Sequence, residues 1–316
     1  VSWTPRHASS SACRRWQMEQ RVLVGTEAEF GAFVEQFDTP QFRSVVSERI
    51  GSGNREVDTL LDTFFSEMRF GHRFLMPRLP AGRLRILEIG AGLGLLSIWL
   101  KRQGHDVVAL EPAAHAFGLF EATREEIWRQ SGAQPPELLR YGAEELDPAR
   151  VGHFDFIFSI NVMEHVADLE AVFLATSSVL KIGGSWLNSC PNYRVPYEPH
   201  YAIPMVPFSP SLTRRVFART IDTHPGVWET LNFIDVATVR RLARMNGLEA
   251  HFEPAVLHST LDRLSDDPKF MDRHRRGWAG RIYRLLSGLR LVGLTRHLPV
   301  DLNTPMIFSL RKVNQE

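Results

Sequence analysis

The sequence predicts an α/β fold centred on a doubly wound, mostly parallel sheet, and three observations lead there. From residue 84 onward, short apolar runs of strand length alternate with amphipathic stretches of helix length. The first of those runs turns directly into Gly90-Ala91-Gly92-Leu93-Gly94, a glycine-rich turn at the entrance to a helix. The composition, 44% hydrophobic and 23% charged, is that of an ordinary globule and excludes wholesale disorder or low complexity. Alternation of this kind implies parallel strands joined by right-handed crossovers.

Taken in chain order, residues 1–20 are basic and rich in serine without an apolar segment, which predicts a disordered tail rather than a secretory signal. A chain that begins with valine is compatible with a non-ATG start codon or with a start at Met18. Residues 21–80 read as a helical cover. Phe30, Phe33, Val34 and Phe37, then Leu60, Leu61, Phe64, Phe65 and Met68, recur at three- and four-residue spacing. Pro77, Pro80 and Gly82 close that region, and residues 81–316 form the α/β domain. Strands are expected at 85–89, 106–110, 137–141, 154–160 and 185–189, with helices at 95–103, 115–129 and 168–180.

After Pro191 the text changes to a proline-rich aromatic stretch, too irregular for a strand, and residues 191–234 are read as a lid. Asp235 caps a helix running to Asn246, Gly247 ends it, and a sixth strand follows at 248–256. A helical insertion over 261–300 precedes the last strand at 306–310. Seven strands result.

Charge and cysteine content narrow the function. Lys plus Arg number 37 against 36 Asp plus Glu, a net charge of +1 that gives no global attraction for nucleic acid. Two cysteines, Cys13 and Cys190, can build neither a disulfide framework nor a thiolate zinc site, so a cytoplasmic location is expected. No window offers the ~20 uncharged apolar residues of a membrane span.

The glycine loop carries the chemistry. Glycines at a strand-to-helix turn let the backbone approach a ligand and aim N–H groups at it. A dinucleotide fingerprint would continue with glycine or alanine at position 95, which is Leu95. Glu88, two residues before Gly90, suits a cationic ligand better than a pyrophosphate. Glu111 ends the second strand about twenty residues beyond the first glycine, where a carboxylate can accept both ribose hydroxyls. The ligand so described is a nucleoside without phosphates.

These features, with Tyr141-Gly142-Ala143-Glu144-Glu145-Leu146, Phe154-Asp155-Phe156-Ile157-Phe158-Ser159, Asn161-Val162-Met163-Glu164-His165-Val166 and Leu180-Lys181-Ile182-Gly183-Gly184, resemble in order the motifs of class I S-adenosylmethionine-dependent methyltransferases of the ubiquinone-biosynthesis-like subgroup. Ile182 stands where that family usually has proline. The resemblance implies the Rossmann-like methyltransferase fold and S-adenosylmethionine as cofactor. It implies that Glu88, Gly90, Gly92 and Gly94 line the methionine part, that Glu111 holds the ribose, that Ala143 and Glu144 flank adenine, and that Asn161 lies beneath the sulfonium.

For the acceptor, an oxygen nucleophile needs a base within hydrogen-bond reach. His165 follows strand four at the sheet's C-terminal edge, and His200 sits in the lid among Tyr193, Tyr197, Glu198 and Tyr201. These are the candidate catalytic and acceptor-binding residues. The histidines are not at metal-ligand spacing, so no metal is expected. The expected reaction is methyl transfer to a small-molecule or glycolipid-like acceptor, at oxygen. A non-catalytic nucleoside-binding module and a protein methyltransferase are the alternatives. Nucleic acid is not an expected partner, because no broad basic stripe with interleaved aromatics is present.

One segment stands outside the resemblance. Residues 273–297 carry seven arginines and no acid, and on a helix Trp278, Ile282, Leu285 and Leu289 share a stripe. The expectation is a helix docked on its own domain, with peripheral contact to an anionic membrane as the alternative.

Overall fold

The computed structural model describes residues 25–51, 54–112, 118–207, 209–266 and 278–314. The tail at 1–20, Cys13, and the arginines at 273, 275 and 276 lie outside the described residues. The chain divides into two compact units, Val1–Gly142 with Phe154–Phe156, and Ala143–His153 with Ile157–Glu316.

The first unit opens with three helices: α1 (Glu27–Glu35), α2 (Pro40–Ile50) and α3 (Asn54–Leu75). Thr26 and Glu29 close a capping box on α1, the Glu29 N–H donating to Thr26 Oγ1 at 3.2 Å and the Thr26 N–H to the Glu29 carboxylate at 2.7 Å. Thr39 caps α2, and Gly51 ends it with φ 66°. Arg43 binds Asp38, Asp58 and Asp62 at 2.6–3.0 Å, which ties α2 to α3. The phenylalanines of the helical pattern do what their spacing predicts. Phe30 and Phe33 pack on Trp99 at 5.4 and 5.3 Å between ring centres, and all are buried.

Strand β1 (Arg85–Ile89), helix α4 (Leu95–Arg102), strand β2 (Asp106–Leu110), helix α5 (Gly118–Gln130) and strand β3 (Glu137–Leu139) follow. Both pairings are parallel, with Leu87 opposite Val108 and Val108 opposite Glu137. Strand β3 stops two residues before the expected 141.

Strand β4 (Phe154–Ile160) has the expected bounds. In the second unit, helix α6 (Leu169–Val179) is capped by Asp168, and strand β5 (Leu180–Cys190) is longer than expected. Residues 181–184, left between the expected helix 168–180 and the expected strand 185–189, belong to that strand, and Gly183 takes φ 79° within it. The 191–234 segment is folded rather than irregular. It contains a hairpin of β6 (Tyr197–Glu198) and β7 (Ile203–Pro204), helix α7 (Pro210–Val216) and short helical turns at Ala218–Ile221 and Val227–Thr230. Tyr201, Ile203, Met205, Ile221, Trp228 and Leu231 give it a hydrophobic core of its own. Pro204 pairs with Tyr197 in this two-stranded hairpin, Pro196 and Pro199 flank β6, and Pro210 opens α7 at its first position, where a missing N–H costs no helical bond.

Asp235 caps helix α8 (Val236–Met245) by accepting from the Thr238 N–H at 2.8 Å, and Gly247 takes φ 64°. Strand β8 (Leu248–Phe252) ends four residues before the expected 256. Pro254 has no N–H to extend a ladder, and helix α9 (Val256–Asp266) starts there, ahead of the insertion boundary at 261. Helix α10 (Trp278–Gly288) and 3-10 turns at Val292–His297 and Val300–Leu302 lead into strand β9 (Met306–Lys312). Strand β9 is antiparallel to both β5 and β8. The sheet order is β3-β2-β1-β4-β5-β9-β8, the seven-stranded, mostly parallel sheet of the Rossmann-like methyltransferase fold. Among the described residues, no helix is long and apolar enough to cross a membrane.

Candidate active site

In the first unit the loop after β1 closes over the end of β2. The N–H groups of Gly90 and Ala91 both donate to the Leu110 carbonyl, at 2.8 and 3.1 Å, and the Gly94 N–H donates to the Ala91 carbonyl at 2.7 Å. Gly92 and Gly94 take φ 52° and 65°, a region that glycine enters without the steric cost of a Cβ. Gly94 is also boxed in. The Trp128 indole N–H donates to its carbonyl at 3.0 Å, and a Cβ there would lie 2.6 Å from the same ring.

The loop presents its backbone to Glu111. The Gly92 N–H donates to Glu111 Oε2 at 2.8 Å, while Arg124 donates to the Gly92 carbonyl at 2.7 Å. Burial raises the Glu111 carboxyl, and the Gly92 N–H and the Arg124 charge oppose that shift. Glu88 is 4% exposed, accepts from the Ser97 hydroxyl, and is pushed up to about 8, first by burial and then by the charge of Glu111. Two desolvated carboxyls beside a glycine loop form a site that a ligand bearing hydroxyl and cationic groups would relieve.

In the second unit Ala143 is buried and Glu144 exposed, in the turn Ala143–Glu145. Asn161 is exposed at the end of β4, with φ 55°, and its N–H donates to the Ser189 carbonyl at 2.8 Å. The next turn, Met163–His165, is clamped by Asn232. The amide of that side chain donates to the Met163 and Val166 carbonyls at 2.6 and 2.8 Å, and its backbone N–H donates to the Glu164 carbonyl at 2.9 Å.

The clamp brings His165 and His200, 35 residues apart in sequence, into contact through their Nε2 atoms at 3.3 Å. On the far side of each ring the Nδ1 atom has its own partner. His165 Nδ1 meets Thr230 Oγ1 at 2.8 Å, and His200 Nδ1 meets Glu198 Oε1 at 2.5 Å. Glu198 is fully buried and also receives the Tyr193 hydroxyl at 3.2 Å and the Tyr201 N–H at 2.8 Å. Burial and the neighbouring His200 lower His165 to about 4. Burial and the Glu198 charge raise the Tyr193 hydroxyl and push Tyr197 up to about 12, so both tyrosines stay protonated. The Tyr201 ring belongs to the segment's core against Trp228, its hydroxyl donating to the His224 carbonyl at 3.1 Å. Cys190 is fully buried, and its thiol is pushed up.

Residues 55–251 match the family model described as a methyltransferase domain. The chain is a class I S-adenosylmethionine-dependent methyltransferase. An uncharacterized protein of Mycobacterium tuberculosis is 36% identical over 257 residues, covering 78% of this chain and 86% of that one. A ubiquinone biosynthesis O-methyltransferase of Rhizobium etli is 35% identical over 116 residues, which span 36% of this chain and 44% of the relative. Among solved structures, an S-adenosylmethionine-dependent methyltransferase of Mesorhizobium loti shares the fold, with a TM-score of 0.50 at 18% identity over 76% of this chain and 97% of that one.

Two desolvated carboxyls, Glu88 and Glu111, beside a glycine loop are a donor set whose chemistry suits this cofactor, which carries a cationic amino-acid part and a ribose. Sequence reasoning missed Arg124, Ser97 and Trp128, which hold the loop, and Thr230 and Asn232, which hold the histidine turn. Only Asn232, an amide in a segment between aromatic residues, carried any signal. Spacing along the chain also gave no hint that Glu164, His165 and His200 converge, although one ligand-type atom from each lies within 4.8 Å of the others.

Proposed function

We propose that this methyltransferase acts on a hydroxyl of a small-molecule or glycolipid-like acceptor. S-adenosylmethionine supplies a methyl group activated on a sulfonium: a correctly aligned oxygen attacks the methyl carbon, the C–O bond forms as the C–S bond breaks, S-adenosylhomocysteine leaves, and the acceptor's proton passes to the histidine pair. Glu88, Gly90, Gly92, Gly94 and Glu111 bind the cofactor, and Ala143, Glu144 and Asn161 keep the adenine and sulfonium roles that the family resemblance gives them. His165 and His200 activate the acceptor's hydroxyl. Tyr197, kept protonated, offers a hydrogen-bond donor, and Tyr193, whose own hydroxyl donates to Glu198, offers a flat apolar wall.

The observation that carries this reading is the chain Thr230, His165, His200, Glu198. An imidazole backed by a buried carboxylate is oriented to accept a proton or a positive charge at its other nitrogen. The O-methyltransferase name of the Rhizobium etli relative supports oxygen as the accepting atom. The test is transfer of a labelled methyl group from S-adenosylmethionine to fractions of a cell extract. Label entering a small-molecule or lipid fraction as a methyl ether or ester, and falling roughly a hundredfold in His200→Ala with unchanged cofactor affinity, is the expected result. Label confined to protein, or an unaffected rate in that variant, would refute it.

A further inference from the structure

The partners of the two imidazoles assign them tautomers that face each other. The Thr230 hydroxyl gives its own hydrogen to the Val227 carbonyl at 2.8 Å, so toward His165 Nδ1 its oxygen is an acceptor and that nitrogen carries the proton. Glu198 is an acceptor toward His200 Nδ1 in the same way. With both rings neutral, each Nε2 therefore turns a lone pair toward the other at 3.3 Å. Two lone pairs aimed at one point repel unless a positive species sits between them.

The geometry identifies which species fits. With metal–nitrogen bonds of about 2.05 Å, a 3.3 Å separation of the two nitrogens subtends about 107° at a shared ion, close to the tetrahedral angle. A carboxylate oxygen of Glu164, fully buried, is the third ligand-type atom of the group, all within 4.8 Å of one another. The rings also have the outer partners usual for metal-bound histidine. One Nδ1–H goes to a carboxylate and the other to a hydroxyl, fixing tautomer and ring orientation.

We propose that His165 Nε2, His200 Nε2 and a Glu164 carboxylate oxygen bind a divalent transition-metal ion of the zinc type. Two imidazoles and one carboxylate are a donor set suited to such ions, and they leave a coordination position for an oxygen. The site deepens the reading above, on which its role rests: a cation held by the histidine pair would take the acceptor's oxygen in its open position and make that hydroxyl acidic enough to release its proton to water, since the two Nε2 atoms then hold the ion rather than the proton.

The experiment uses the full chain after chelator treatment and dialysis, with Zn2+ followed by calorimetry and Co2+ by visible absorption. One ion per chain is expected, with the d–d absorption of low-coordinate Co2+. His200→Ala and His165→Ala should each lower affinity at least about a hundredfold, and Thr230→Val, which removes only an outer partner, about 10- to 100-fold. Binding of S-adenosylhomocysteine by each variant shows that it is folded. No uptake by the wild type, or uptake unchanged in His200→Ala and Thr230→Val, overturns the site. If the wild type takes up no ion and His200→Ala still lowers turnover, the cation fails and the reading of the histidine pair stands. If the ion binds but His200→Ala transfers methyl groups at the wild-type rate, that reading fails and the metal site stands.

Discussion

The backbone N–H of Gly92 donates to Glu111 Oε2 at 2.8 Å, so the glycine loop and the acid at the end of β2 are one unit before any ligand arrives. Glu111 is thereby oriented by the backbone of the glycine loop. Replacing Glu111 with alanine removes a charge-assisted acceptor and releases the loop N–H. Affinity for S-adenosylhomocysteine should fall by roughly ten- to a hundredfold, about 1.5 to 3 kcal/mol, as read by calorimetry. Unchanged affinity would place the ribose elsewhere.

Gly94 should tolerate no side chain. Its φ of 65° costs any L-residue about 1 kcal/mol, and its Cβ would meet the Trp128 ring at 2.6 Å, where backbone and indole are joined by a hydrogen bond. Gly132 is a control, with φ 68° and open space around the same position. In urea unfolding, Gly94→Ala should cost about 2 to 4 kcal/mol and Gly132→Ala about 1 kcal/mol. Equal losses would mean that the indole moves aside.

Glu88 should make stability depend on pH. Its carboxyl, pushed up to about 8, keeps in the native state a proton that the unfolded chain releases near 4.5. The native state therefore binds more protons across that interval. The stabilisation is fully present below pH 4.5 and is lost as pH rises through 8. Glu88→Gln, neutral throughout, should be more stable than wild type at pH 8 and show a shallower decline from pH 5 to 8. Part of the decline will persist, because Glu111 is raised in the same sense. Parallel curves for the two proteins would count against this account.

Asn232 should matter more than its distance in sequence from His165 suggests. Its side-chain amide holds both ends of the Met163–His165 turn, at 2.6 and 2.8 Å. Asn232→Ala leaves two carbonyls without their donor and should cost about 2 to 3 kcal/mol in unfolding. Turnover should fall while affinity for S-adenosylhomocysteine is kept, since the turn carries His165. A loss of turnover without a loss of stability would assign Asn232 a direct role instead.

The central strands were legible because parallel strands buried on both faces appear as continuous apolar runs, and Phe154–Ile160 has the bounds its text suggests. The glycine loop was legible for a similar reason, since Gly92 and Gly94 occupy backbone conformations that other residues avoid. What escaped was nonlocal. Arg124 reaches the loop from α5 across 32 residues, and nothing near it in sequence marks it. The strands and helices within 191–234 escaped because proline density suggests irregular chain, whereas the segment's aromatics pack on one another as a small core. The contact of His165 with His200 depends on that core and on Asn232, so no spacing rule could find it.

The basic insertion provides the last test. Of the apolar stripe expected to dock on the domain, the Trp278 and Ile282 side chains lie outside what the structure describes, while Leu285 and Leu289 are 62% and 58% exposed, and Leu294 further along is 63% exposed. Arg281, Arg284, Arg290 and Arg296 flank them, and residues 273–300 contain no acid. Side chains this exposed bury little area, so Leu285→Ser with Leu289→Ser should change unfolding free energy by no more than about 0.5 kcal/mol per site. Losses near 2 kcal/mol each would restore the docked reading. The same pair tests the peripheral membrane contact proposed for 273–297. If lipid covers the stripe, the wild type sediments with anionic vesicles and not with neutral ones, and binding weakens as salt rises over the range where the Debye length shrinks below about 10 Å. The double variant should then stay in solution with its fold intact. Equal sedimentation of variant and wild type would exclude these leucines from the contact.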